Sequence, residues 1–242
     1  MQEKRMPELR VISVSELSFI DRGWSRGYAH VALPETPPGT PGYIDFGPLL
    51  LFAVEEVDAG EGFAKHLHRE IESLTIMLEG AFIHEDTTGE RGRIGSSEVA
   101  VMSAGTGIEH SEWVEPPNKV RVVTIWLRPA VPGQPPQFVA RGYPNEVRKN
   151  QLITVASGRN DAPAEALPIR QDASLLIAVL STHGEVTYTL EPGRRTYMVG
   201  AQGAIEVNGR AANAGERVIA SGSGILQVRA LAPTELVVLD VV

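Results

Sequence analysis

The chain has 242 residues, a formal net charge of −8 at pH 7 and no cysteine, with 43% hydrophobic and 21% charged residues. That balance excludes a disordered chain, a binder of nucleic acid that relies on overall positive charge, a disulfide scaffold, an iron–sulfur centre and a cysteine nucleophile. No apolar run reaches transmembrane length, and the start MQEKRMPELR carries no apolar stretch behind its charges, so a cytoplasmic protein is expected. Met6 is an alternative start to Met1.

Glycine (24) and proline (17) are abundant, and the apolar runs between them have strand length. In chain order they are Leu49–Val54, Leu74–Leu78, Val99–Met102, Val120–Leu127, Leu175–Leu180, Val186–Leu190, Tyr197–Val199, Ile225–Val228 and Leu236–Val242. Most are rich in β-branched residues and bounded by turn formers. Short helices are expected only near Asn145–Asn150 and Asp161–Leu167. The expected class is all-β, sandwich or barrel. Pro129–Pro136, with four prolines, reads as a linker. A strand–glycine–strand echo on either side of it predicts two similar domains, 1–134 and 135–242.

Three of the six histidines fall into two compact groups, His66-Leu67-His68 and His110-Ser111-Glu112. Residues i and i+2 of a strand share a face. If the two segments are neighbouring strands, three imidazoles and a carboxylate converge, a donor set suited to a divalent first-row metal. An isolated HxH pair is more often structural. Here the glycines are placed as well: Gly60, five residues, His66-x-His68, then Gly80 at the next corner.

This spacing resembles the first motif of the cupin superfamily. More narrowly, Gly62–Gly80, His84-x-Asp86-x-x-Gly89 and the string Met102-Ser-Ala-Gly-Thr-Gly-Ile-Glu-His-Ser-Glu112 resemble the pirin family. The match is specific over about residues 57–128 and looser in the C-terminal half. The resemblance implies a bicupin, two β-barrel or jelly-roll domains, with one metal in the N-terminal barrel held by His66, His68, His110 and Glu112. Iron(II) is the expected ion, with Ni, Mn, Co, Cu or Zn as substitutes. No metal is expected in the second barrel, which lacks an HxH pair.

The sequence departs from the family pattern at Lys65 and Leu67 around the histidines, at Glu70-Ile71, at Ser97 in place of a glycine, and across Arg26–Pro38. The implied activity is oxygen-dependent ring opening of a flavonol such as quercetin, a small aromatic substrate, with Glu112 as both ligand and catalytic base. The alternative is a non-catalytic, metal-dependent redox-sensing regulator that binds a protein partner, without direct nucleic-acid or membrane contact. A third option is a sugar or small-acid isomerase. Glu72, where many cupins place a ligand carboxylate, is read as structural. His84 is read as a hydrogen-bonding core residue, His30 and His183 as surface or loop residues, and Arg194-Arg195 as a solvated turn. Trp113 and Trp126 are read as barrel core or rim, and apolar walls are expected from Leu74–Leu78 and Val122–Trp126.

Overall fold

The computed structural model describes residues 7–242. In chain order the strands are β1 (Glu8–Ile12), β2 (Ser18–Asp21), β3 (Ser25–Val31), β4 (Leu49–Val57), β5 (Gly62–His68), β6 (Glu72–Glu79), β7 (Ala81–Asp86), β8 (Arg91–Gly95), β9 (Glu98–Ser103), β10 (Ile108–Val114) and β11 (Val120–Leu127). They continue as β12 (Gln137–Gly142), β13 (Ile153–Ser157), β14 (Leu167–Pro168), β15 (Ala173–Leu180), β16 (Glu185–Leu190), β17 (Arg195–Gly200), β18 (Ile205–Val207), β19 (Arg210–Ala212), β20 (Arg217–Ser221), β21 (Gly224–Ala230) and β22 (Thr234–Val241). The one α-helix among the described residues is Asn145–Arg148; the segment expected to be helical near Asp161 is turn instead. Pro163 interrupts that segment, Gly158 and Pro168 flank it, and it has no apolar periodicity to bury. Among the described residues no helix is long and apolar enough to cross a membrane.

The chain forms two units, each an all-β barrel of two facing sheets. The first comprises 17–144 with 167–171; the second comprises the described residues before 17, then 145–166 and 172–242. The expected boundary at 134/135 therefore differs in three places, the shortest being 167–171, which joins the first unit. Beyond the proline-rich stretch, β12 still belongs to the first unit, because all six of its residues pair antiparallel with β9. At the other end, β1 pairs along its whole length with β20 of the second unit. Neither pairing leaves a local sequence signal, since each joins segments far apart in the chain.

The first unit has a large sheet in the order β12-β9-β6-β11-β4-β3-β2 and a small sheet in the order β5-β10-β7-β8. In the second unit the small sheet runs β16-β21-β18-β19, and β1-β20-β17-β22-β15-β13 are consecutive in the large one. The strand order repeats. The interiors do not. In the second unit Val186, Leu190, Val207, Leu226 and Val228 are buried in a continuous apolar core with Tyr188 packed against it. In the first unit one apolar cluster joins Val57, Met77, Phe82, Ile94, Val120 and Val122, with Trp24, Phe63 and Phe138 packed against it. The positions of β5 and β10 that the corresponding strands of the second unit fill with valine and leucine include histidines here.

The corner between β6 and β7 shows how tightly the barrel is drawn. Gly80 has φ +77°, and a Cβ there would lie 2.3 Å from the Lys119 carbonyl oxygen. A side chain at this position meets both a left-handed backbone and a backbone collision. Gly80→Ala is expected to destabilise the protein by about 2 kcal/mol or more, read as a lowered urea midpoint with an unchanged slope.

A candidate metal centre in the N-terminal barrel

Strands β5 and β10 pair antiparallel with His110 directly opposite His66 and Ile108 opposite His68. The register brings the two histidine groups onto one inner face. His66 Nε2 lies 2.9 Å from His68 Nε2 and 3.1 Å from His110 Nε2. The three rings are tilted against one another, with centroids 4.4–5.1 Å apart. His68 and His110 are buried, and His66 is partly exposed.

These nitrogens fit a cation. Two donors held about 2.1 Å from one ion at a right angle are about 3.0 Å apart, which is the spacing seen here. The proton inventory agrees. His66 Nδ1 lies 2.8 Å from the Ala64 carbonyl oxygen. A carbonyl only accepts, so in the neutral ring the proton sits on Nδ1 and Nε2 presents a lone pair to the cluster. Burial, with the neighbouring rings adding to it, pushes His68 down to about 4 and His110 down to about 3. Both are therefore neutral and ligand-ready at physiological pH.

Glu112 lies on β10 beyond a bulge that shifts the register between His110 and Glu112. Its carboxylate forms a second compact group with His84 and His110, the donor atoms all within 4.8 Å of one another; His66, His68 and His110 form the first. The two groups share His110. Burial pushes the Glu112 carboxyl up to about 7.

His84, on β7 directly opposite Glu112, is fully buried, its ring stacked on Phe138 at 4.0 Å. The hydrogen-bonding role read for it is present, since Nε2 lies 2.9 Å from Asp86 Oδ2. What the sequence reading missed is its nearness to Glu112. The His84-x-Asp86 spacing was the available signal, because it repeats the i, i+2 pattern of the other two groups.

Glu72 does not reach the cluster's first group. It is buried, with Oε2 accepting from Ser103 Oγ at 2.6 Å and from the Arg170 backbone N–H at 3.0 Å. The structural reading holds for it. Trp126 stands edge-on to His68 at 5.0 Å, and Phe63 lies 6.4 Å from His66. Met77 and Val122 face each other across β6 and β11 as part of the apolar wall. Two other expectations are corrected. His30 is fully buried on β3 opposite Phe52, because its strand packs on both faces. Arg194 is buried, its guanidinium bound by Asp240 and by Asp172 at 2.8 Å; two carboxylates compensate its desolvation. His183 sits in an exposed turn at φ 63°.

A paired-sheet barrel with a histidine cluster on its inner strands, joined in one chain to a second barrel of the same strand order, is a bicupin with a metal-binding type of centre. The chain belongs to the pirin family. The pirin family profile matches residues 44–127, and the profile described as the quercetinase C-terminal cupin domain matches 154–241. A homologue from Pseudomonas aeruginosa is 36% identical over 225 residues, covering 93% of this chain and 96% of that one. A pirin-like protein of Caulobacter vibrioides is 34% identical over the same shares. The quercetin 2,3-dioxygenase of Escherichia coli is 26% identical over 83% of this chain and 85% of that one. The crystal structure of YhhW from Escherichia coli superposes with a TM-score of 0.86 at 24% identity, over 97% of this chain and 98% of that one. The same bacterial pirin has been solved with nickel(II), at a TM-score of 0.84.

Two outcomes follow from the geometry. Elemental analysis is expected to find about one first-row metal per chain, lost in a His66→Ala/His110→Ala double variant. Metal uptake is also expected to release a proton that depends on pH through Glu112. Below its raised value near 7 the carboxyl of the metal-free protein is protonated and must give up that proton to ligate; above it there is none to give. Calorimetry in buffers of different ionisation enthalpy at pH 6 and pH 8 should show this excess release at pH 6. The excess disappears in Glu112→Gln.

Proposed function

We propose that the protein is a metal-dependent dioxygenase that opens the ring of a flavonol such as quercetin, working with iron(II). His66, His68, His110 and Glu112 are the ligands in this reading. The observation that carries it is the convergence of three imidazoles, His66 Nε2 lying 2.9 Å from His68 Nε2 and 3.1 Å from His110 Nε2, beside a carboxyl with a raised pKa. Membership of a family with a quercetin 2,3-dioxygenase among its relatives supports the substrate class.

A bound divalent metal supplies Lewis acidity toward a substrate hydroxyl. The protein's own residues do the rest. His68 and His110 are held neutral by burial, and the Ala64 carbonyl at His66 Nδ1 turns the Nε2 lone pair of that ring inward. Glu112 is the proton acceptor for the flavonol 3-hydroxyl. Trp126, edge-on to His68 at 5.0 Å, offers aromatic surface beside the site for an aromatic ligand.

One observation favours a second reading. Leu67 and Trp113 point away from the cluster on the same two strands and are 46% and 43% exposed. A metal-sensing regulator would offer such a surface to a protein partner.

The deciding assay is oxygen consumption with a flavonol after anaerobic reconstitution with iron(II). Turnover is expected in the wild type. Glu112→Gln should keep most of the metal and lose turnover by about 10²-fold or more. Full activity in that variant would remove Glu112 as the base. A fully loaded wild type that consumes no oxygen would defeat the dioxygenase reading.

A further inference from the structure

One end of the second barrel is polar inside. Ser174 on β15, Tyr188 on β16, Thr196 on β17 and Asp240 on β22 continue, two residues on, the inward rows of Leu176, Val186, Met198 and Val238. Asp240 is paired with Ser174 on one side and with Thr196 on the other. In the first barrel the same two pairings fall on Trp126, set between Leu51 and Ser73, and Trp126 stands beside His68. The polar end of the second barrel is thus the counterpart of the metal end of the first.

This end is open. A cavity of about 290 Å³ is lined by Ser157, Arg159, Ser174, Leu176, Tyr188 and Glu191, with Ala162 and Pro163 at its side. A neighbouring cleft of about 520 Å³ shares Arg159 and Glu191 and extends to Asp172 and Arg194. The inner volume suits a small ligand.

The charges fix the sign of that ligand. Two guanidinium groups face four carboxyl groups. Arg159 donates to Asp161 at 2.9 and 3.1 Å and to Glu191 at 3.0 Å. Arg194 is bound by Asp240 and by Asp172 at 2.8 Å. The hydroxyls of Ser157 and Ser174 engage each other at 2.8 Å. What remains is rich in acceptors. Asp240 Oδ2 and Thr196 Oγ1 are buried without a hydrogen-bond partner among the described residues, and both side chains belong to fully buried residues. Buried polar atoms of this kind are costly unless a donor meets them. The Tyr188 hydroxyl is the neutral donor near enough to act on Asp240, and its ring lines the cavity.

We propose that this end of the second barrel binds a small organic ammonium ion, an alkyl or arylalkyl amine. An ammonium group carries three donors and no acceptor, which complements a site of surplus acceptors. The excess of carboxylates in a recess with apolar walls draws positive charge. The carbon chain of the ligand lies along Leu176, Ala162 and Pro163, and the Tyr188 ring offers its face to the cation. An anion meets the reverse, because both guanidiniums are already held by carboxylates. The site has no histidine to suit a first-row metal. The proposal does not rest on the dioxygenase reading.

The test is equilibrium dialysis of the full-length, zinc(II)-loaded protein against labelled phenethylamine at pH 7. Saturable binding of one amine per chain is expected, weakened by added salt. The neutral 2-phenylethanol and the anionic phenylacetate should compete at least about 10-fold less well. Binding should persist in the metal-free protein, which separates this site from a ligand on the metal. Asp172→Asn/Glu191→Gln, at two half-exposed positions where the fold is not at stake, should weaken binding about 10-fold. The proposal is overturned by any of four results: no saturable uptake below about 10 mM; equal or better competition by the alcohol, by phenylacetate, by myo-inositol or by calcium(II); loss of binding when the metal is removed; or an affinity that the paired substitution leaves unmoved.

Discussion

The centre depends on the register between β5 and β10. Because side chains alternate along a strand, a slip of one residue would turn His66 and His68 out to solvent and leave His110 alone inside. The observed register sets His110 against His66, so that three imidazoles from two strands share one face. The close approach is permitted at Gly62, where a Cβ would stand 2.1 Å from the Glu112 carbonyl oxygen. The bulge beside it lets Glu112 follow His110 without repeating the pairing of the histidines. On its other edge β10 pairs with β7, which brings His84 opposite Glu112 and Asp86 opposite His110. β10 is thus the shared wall of both groups of ligand-type side chains.

Around this register, burial does the electrostatic work. It strips charge from His68 and His110, which a cation site requires, and it raises Glu112 toward neutrality. The same environment would punish any carboxylate without partners. Asp86 is matched by His84 and Thr88, and Glu72 by Ser103 and the Arg170 backbone. The second barrel keeps the strand order but packs valine and leucine on the same two strands. Val186, Leu190, Leu226 and Val228 of β16 and β21 form one core, and the polar groups gather around Asp240 at one end. A common framework thus holds two different interiors.

Much of this was legible in the residues. The all-β class followed from short β-branched runs set between glycine and proline. The convergence of His66, His68 and His110 followed from i, i+2 patterns whose meaning needed only that the strands be neighbours. Other features left no local trace. Ser97 and Glu70 stand where the family pattern expects glycine or its equivalent, yet both hold positive φ, at 69° and 52°. The backbone conformation persists although the residue that eases it is gone. His30 and Arg194 were misjudged because their burial is decided by strands distant in sequence. The nearness of His84 to Glu112 was likewise set by the β7–β10 register; the i, i+2 spacing of His84 and Asp86 hints at a shared face but not at its partner strand.

The pairing of β1 with β20 bears on how the chain is made. Residues 8–12 leave the ribosome long before their partners at 217–221. Most of the first unit, 17–144, can assemble while the remainder is still being synthesised. The strand that completes the second unit must wait, unpaired, until some two hundred residues have followed it. Its alternating pattern, with only Ile12 fully buried, keeps this exposed segment polar enough to wait without sticking to its neighbours.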